Sequence, residues 1–310
     1  MSDIQIRNNL DAPHAGKDSP LYRMIASKTG NATLPDLQLL DYGSLWSAAW
    51  WGFDASSVFA KFSLEEQNDV LVRCNQSLLT EAYFIEKSGL AYSAKMVLTA
   101  KNTDEAQLFA LIGADEAKHL AWIEPYLSAD VKQLPRGHFL SFLSSLIEEY
   151  PPKLLVYLVQ IILEGWGLDH YSRLAKNCMQ PALSKIFAAI LKDEALHHRS
   201  GAVLFDSTQF SDSDYTLIKD ALQHYTQMVR VGPQTALASV DQVGQGLSES
   251  ELEEVASALR HQEETPRKLN LLKNLMLQSG VETVVETLDA EHCFLPVSLL
   301  ECVRCHSSCR

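Results

Sequence analysis

Residues 111–123 read LIGADEAKHLAWI, and residues 190–202 read ILKDEALHHRSGA. Each contains Asp-Glu-Ala-x-His: Asp115, Glu116 and His119 in the first, Asp193, Glu194 and His197 in the second. On an α-helix, residues i and i+3 share a face about 5–6 Å apart, so one helix can offer a glutamate and a histidine to the same ion. A single pair of this kind is usually a solvated face. Here it recurs after 78 residues, and a glutamate precedes each copy by the same 30 residues, Glu86 before Glu116 and Glu164 before Glu194. The flanks repeat as well: Ile85-Glu86-x-x-Gly89-Leu90 answers Leu163-Glu164-x-x-Gly167-Leu168.

Helix lengths decide whether these residues can meet. Ser63 and Glu66 form a capping box, and the helical pattern runs from there to about Ala100. A second helix follows an N-cap at Thr103 and stops before Pro125. A connecting helix covers roughly 137–149, a third runs from Pro151-Pro152 to Lys176, and a fourth starts at Pro181 and ends near Gly201 or a turn later. From Glu86 the chain climbs 14 residues to the helix end, then descends 13 from Thr103 to Glu116. The second hairpin climbs and descends 13 each. At 1.5 Å per residue every leg is about 20 Å, so both hairpins bring their ligands back level. Glu81 is the alternative on the first helix, but its climb would exceed the descent by about 9 Å.

The run Leu154 to Leu163 leads into Glu164 and is apolar except for Gln160. An unpaired carboxylate there would be costly. Four carboxylates neutralise two divalent ions, and carboxylate with imidazole suits iron or manganese better than structural zinc. The pattern resembles the ferritin-like di-iron carboxylate superfamily, in which Asp-Glu-x-x-His recurs. The resemblance implies a four-helix bundle over 63–205, with Glu86, Glu116, His119, Glu164, Glu194 and His197 as metal and catalytic residues. It also implies that Asp115 and Asp193 accept hydrogen bonds from the ligand histidines, which fixes their tautomer. Family members often carry arginine before the histidine; Lys118 and Leu196 stand there here.

Around the bundle, residues 1–62 read as an arm with short helices, and 206–310 as a helical extension with a cysteine-rich tail. Trp46, Trp50, Trp51 and Phe53 are expected to dock the arm by aromatic burial. Helices are expected at about 212–230, 249–262, 266–279 and 281–290, with Thr265-Pro266 as a cap and first turn and Gly280 as a stop. No segment alternates like a strand, so the fold class is all-α. The net charge of −13 argues against nucleic acid and anionic membrane. No apolar leader or membrane-spanning stretch is seen, and six cysteines in such a chain suggest a reducing, cytoplasmic setting.

Other residues are weaker candidates. Tyr171 lies two turns past Glu164 and can face the site; Tyr92 is less well placed; Trp122 and Trp166 read as packing; His198, about 100° around the helix from His197, reads as a support of the ligands or a surface residue, not a third histidine ligand, and His170 as structural. A radical tyrosine one turn past the first histidine is missing, since Leu120-Ala121-Trp122-Ile123 occupies that stretch. Cys302-x-x-Cys305-His306, with Cys293 and Cys309 near, has the form of a haem-attachment or redox motif, though incidental cysteines are the simpler reading. The expected function is an oxygenase or oxidase using two Fe (alternatively Mn/Fe or Mn2) and O2 to oxidise a small organic or acyl substrate. With no flavin or nicotinamide motif, electrons are expected from an external reductase or ferredoxin, and a homodimer is a further expected association. Ferroxidase or iron storage, and peroxide removal in the manner of rubrerythrin or manganese catalase, are the alternatives.

Overall fold

The computed structural model describes residues 18–29, 41–127, 137–278 and 280–307, and all regular structure among them is helical. Short α1 (Pro20–Thr29), α2 (Ala48–Trp51) and α3 (Ser57–Ala60) precede the long α4 (Leu64–Thr99). Then come α5 (Thr103–Ile123), α6 (His138–Glu149), α7 (Pro152–Leu155), a π-helical segment over Val156–Leu163, α8 (Glu164–Asn177) and α9 (Pro181–Leu204). The rest is α10 (Asp212–Arg230), α11 (Gln234–Val243), α12 (Glu249–Ala258), α13 (His261–Met276), α14 (Glu282–Ala290) and α15 (Leu299–Ser307).

Local chemistry explains most boundaries. Ser63 and Glu66 form the expected capping box of α4. Asn102, not Thr103, caps α5, because its side chain accepts from the Glu105 amide and leaves Thr103 as the first helical residue. Helix α13 begins at His261 and runs through Pro266, so Thr265-Pro266 is not its start. Arg260, at φ 55°, makes the break instead. Gly280, at φ 93°, makes the expected stop before α14. The π segment, α11 and α15 were not expected.

Helices α4 and α5 pack as one antiparallel hairpin, α8 and α9 as another, and α5 lies against α9. Helices α4 and α8 pack less closely, though Leu79, Ala82 and Tyr83 of α4 share an apolar cluster with Tyr171 and Leu174 of α8. One apolar cluster joins the bundle to the extension: Tyr92, Phe109 and Ile112 pack with the π segment and with Ile218, Leu222 and Tyr225 of α10. The aromatic arm docks as anticipated. Trp46 is fully buried and its indole donates to the Leu174 carbonyl at 3.2 Å, while Trp51 donates to Asn75 at 2.9 Å. Each indole thus buries its ring without orphaning its N–H. No described helix is long and apolar enough to cross a membrane. Cys309 and most of residues 1–35 lie outside the described residues.

Candidate metal centre

All six residues converge inside the bundle. Glu86, Glu116, His119, Glu194 and His197 are at most 4% exposed, and Glu164 is partly exposed. Their ligand atoms form two overlapping groups that could each hold a metal ion: Glu86, Glu116, His119 and Glu194 in one, Glu116, Glu164, Glu194 and His197 in the other. Glu116 and Glu194 belong to both. Glu116 turns Oε2 toward His119 Nδ1 and Oε1 toward His197 Nδ1, each at 3.5 Å. Glu194 turns Oε1 toward His119 at 3.5 Å and Oε2 toward His197 at 3.4 Å. Each shared carboxylate therefore offers one oxygen to each half.

The alternative Glu81 joins neither group, as the helix-length argument requires. Close backbone approach helps aim Glu116. A Cβ on Gly89 would stand 2.7 Å from the Glu116 carboxyl carbon, so only glycine leaves that carboxylate its place.

Both histidines point Nδ1 inward and Nε2 outward. The outward nitrogens meet the aspartates in a crossed pattern: His119 Nε2 lies 3.3 Å from Asp193, and His197 Nε2 lies 3.4 Å from Asp115. Each motif's aspartate thus supports the other motif's imidazole. Lys118, read from sequence only as a departure from arginine, pairs with Asp115 at 2.6 Å and lies 3.6 Å from Asp193. It offsets the charge of both acceptors. Tyr171 reaches across the α4–α8 gap, and its hydroxyl donates to Glu86.

The metal-free electrostatics are strained in a direction that favours cations. Burial, then neighbouring carboxylates, push the Glu116 and Glu164 carboxyls well above the usual range, and burial does the same to Glu194. Burial also raises Glu86, but the His119 charge and hydrogen bonds outweigh it and leave Glu86 below its ordinary value. Burial lowers His119, yet Glu86 and Glu116 together hold it well above an ordinary imidazole. The cluster thus retains protons that cations would displace. His197 Nδ1 is buried and aimed at the shared carboxylates without a hydrogen-bond partner. That orphaned atom, the two-way carboxylates and the O/N donor set fit a pair of divalent ions.

Comparison with known proteins finds no matching family model, curated protein or solved structure.

The remaining candidates fall outside the cluster. His198 Nδ1 lies 3.1 Å from the Gln160 carbonyl, and the Trp122 ring lies 5.7 Å from the His119 ring. His170 stacks edge-on against Tyr171, and burial with the nearby Lys268 charge lowers it to about 4. Cys302 and Cys305 sit on α15; burial pushes the Cys302 thiol up to about 11, which disfavours the thiolate a redox dithiol needs. Two residues near the centre escaped sequence reading, Tyr92 in its orientation and Tyr225 entirely. Tyr225 belongs to a helix with no motif of its own, and burial with the Glu164 charge raises its hydroxyl well above the ordinary value.

Proposed function

We propose that this chain is a ferritin-like, O2-dependent di-iron oxygenase or oxidase acting on a small organic or acyl substrate. The observation that carries the reading is the two-way orientation of Glu116 and Glu194 between His119 and His197. Glu86 with His119 would complete the holding of one ion, and Glu164 with His197 the other. Hard carboxylate and borderline imidazole donors suit Fe(II) and Mn(II), so Mn/Fe and Mn2 loading are the alternatives. When bound, the metal pair supplies the electrons and Lewis acidity for reaction with O2.

The chain's own residues have defined tasks. Asp115 and Asp193 keep Nε2 protonated and Nδ1 free to ligate. Lys118 pairs with Asp115 and stands beside Asp193, which holds the two acceptors in place. Tyr171 orients the Glu86 carboxylate through its hydroxyl. The electron donor is a separate reductase or ferredoxin.

The test is anaerobic loading with Fe(II), then mixing with O2 while absorbance and O2 consumption are followed. Rapid consumption with a transient visible band at two irons per chain is expected, with further turnover only when a reductant is supplied. Slow consumption with growth of a mineral absorbance would favour ferroxidase or storage. Activity only with Mn(II) and peroxide would favour a catalase-like protein.

A further inference from the structure

The outer face of α9 is basic although the chain as a whole carries a net charge of −13. Lys185, Lys192 and Arg199 recur at seven-residue intervals, and all three are exposed. Seven residues make two helical turns to within about 20°, so the three cations line up on one face over about 21 Å. Ala188, Ala195, Leu196 and Val203 are exposed among them, Leu196 by 49% and Val203 by 80%. No exposed residue of α9 is acidic. Its two acids are Glu194, inside the bundle, and Asp193, which faces His119 and Lys118. Lys118 spans the seam to α5, and beside it α5 exposes Ala114 and Leu111, the latter by 66%.

This surface borders a route from the centre to solvent. His119 Nε2 lies 3.3 Å from Asp193 and His197 Nε2 lies 3.4 Å from Asp115. Those aspartates keep 27% and 22% of their side-chain surface exposed. One side chain therefore stands between each ligand histidine and the outside. The Trp122 ring, half-buried, also lies 5.7 Å from the His119 ring. Lys192 precedes Asp193 in the chain and Leu196 precedes His197, so the stripe is level with the centre.

Building on the metal-centre reading, we propose that the α5–α9 face docks a small acidic one-electron carrier protein of the ferredoxin or flavodoxin kind. Carboxylates of the carrier meet Lys185, Lys192 and Arg199, and Leu111 and Leu196 form the apolar middle. Transient redox interfaces are small, below about 1,200 Å², with a polar rim. Opposite charge steers such encounters and fixes their register. Inserting one atom of O2 into a substrate and releasing the other as water takes two electrons and two protons. Two reduced carriers, each oxidised once on this face, supply the electrons, and solvent supplies the protons. A nucleic acid or an anionic membrane fits less well, because either would extend past the stripe onto the acidic remainder of the chain.

The test titrates the full chain, metal-free and Mn(II)-loaded, with a plant-type [2Fe–2S] ferredoxin and with a flavodoxin. Calorimetry is run at about 20 and about 200 mM NaCl. At least one carrier should bind at low salt and weaken about ten-fold at high salt. Lys192→Glu/Arg199→Glu should weaken low-salt binding by at least about ten-fold. Lys61→Glu/Arg304→Glu, which changes net charge equally at exposed sites on the arm and the extension, should change it less than about two-fold. Unaltered Mn(II) uptake by both double variants shows that the bundle is intact. Binding of neither carrier to wild type would overturn the proposal, as would equal effects of the two double variants. So would tighter stripe-dependent binding of single-stranded RNA or of phosphatidylglycerol vesicles than of either carrier. If wild type takes up no metal, the di-iron reading fails while stripe-dependent carrier binding stands. If it takes up two ions and binds no carrier, the docking face alone fails.

Discussion

Glu86 and Glu164 occupy equivalent places in the two halves of the repeat, and their surroundings differ. Glu86 is 2% exposed, lies 2.8 Å from His119 and accepts the Tyr171 hydroxyl. Glu164 keeps accessible surface, and its carboxyl is pushed up by burial and by Glu194. Gly89 sits against the Glu116 carboxylate, whereas a Cβ on Gly167 would meet nothing within 4 Å. Residue 171 corresponds to Ser93 in the repeat, and Ser93 merely donates to the Leu90 carbonyl at 3.0 Å. The second half therefore sends a phenol to the first half's glutamate and receives none back. The backbone diverges too: α4 is continuous through Glu86, while a π segment leads into Glu164. Such segments are common at functional sites. One sequence pattern thus yields a closed position at Glu86 and a more accessible one at Glu164.

Removing a shared carboxylate should have the largest effect, because it belongs to both halves. Glu116→Ala should lose both ions, whereas Glu86→Ala and Glu164→Ala should each keep one, counted by elemental analysis after Mn(II) loading and desalting. Equal stoichiometry in all three would erase the distinction between shared and terminal ligands. Next come the crossed aspartates. Asp193→Asn should weaken the ion held through His119, and Asp115→Asn the ion held through His197, each by about 10–100-fold in affinity. Competition titration with a fluorescent chelator reads both, and weakening on the uncrossed side would contradict the pairing.

The glycines give a smaller contrast with opposite signs. Gly89→Ala should destabilise the fold by less than about 1 kcal/mol, since the added methyl displaces only the flexible end of the Glu116 side chain. Gly167→Ala should stabilise by up to about 1 kcal/mol, since the space is open and alanine favours helix. Urea unfolding of the metal-free proteins measures both. The smallest effect concerns pH. Without metal, Glu116, Glu164, Glu194 and His119 have folded pKa values above their ordinary ones. The folded state then holds protons that the unfolded chain releases, so stability falls as pH rises through that window. Glu86, lowered, acts oppositely, but only below its ordinary value of 4.5. The metal-free melting temperature should therefore fall between about pH 5 and pH 8, and saturating Mn(II) should cancel the fall.

The clustering of the four carboxylates and two imidazoles was legible because it depends on helix periodicity and length, which sequence expresses directly. The level return of both hairpins favoured Glu86 over Glu81, and Glu86 lies in the cluster while Glu81 does not. Tyr171 was legible for the same reason. The crossing of Asp115 and Asp193 was not, because it depends on how α5 packs against α9. Lys118 looked like a lost arginine until the two aspartates stood beside it. Pro266 misled because proline within the first turns of a helix looks like its start, and the true break lies at Arg260 with its left-handed backbone. The π segment escaped because its apolar run carries the periodicity of neither a helix face nor a strand. Tyr225 escaped because long-range packing, not motif, places it.

The most direct measurement is anomalous diffraction from crystals grown with Mn(II). The account predicts two peaks inside the bundle, both touched by Glu116 and Glu194, one completed by Glu86 and His119 and the other by Glu164 and His197. A single peak, or none among these six residues, would contradict it.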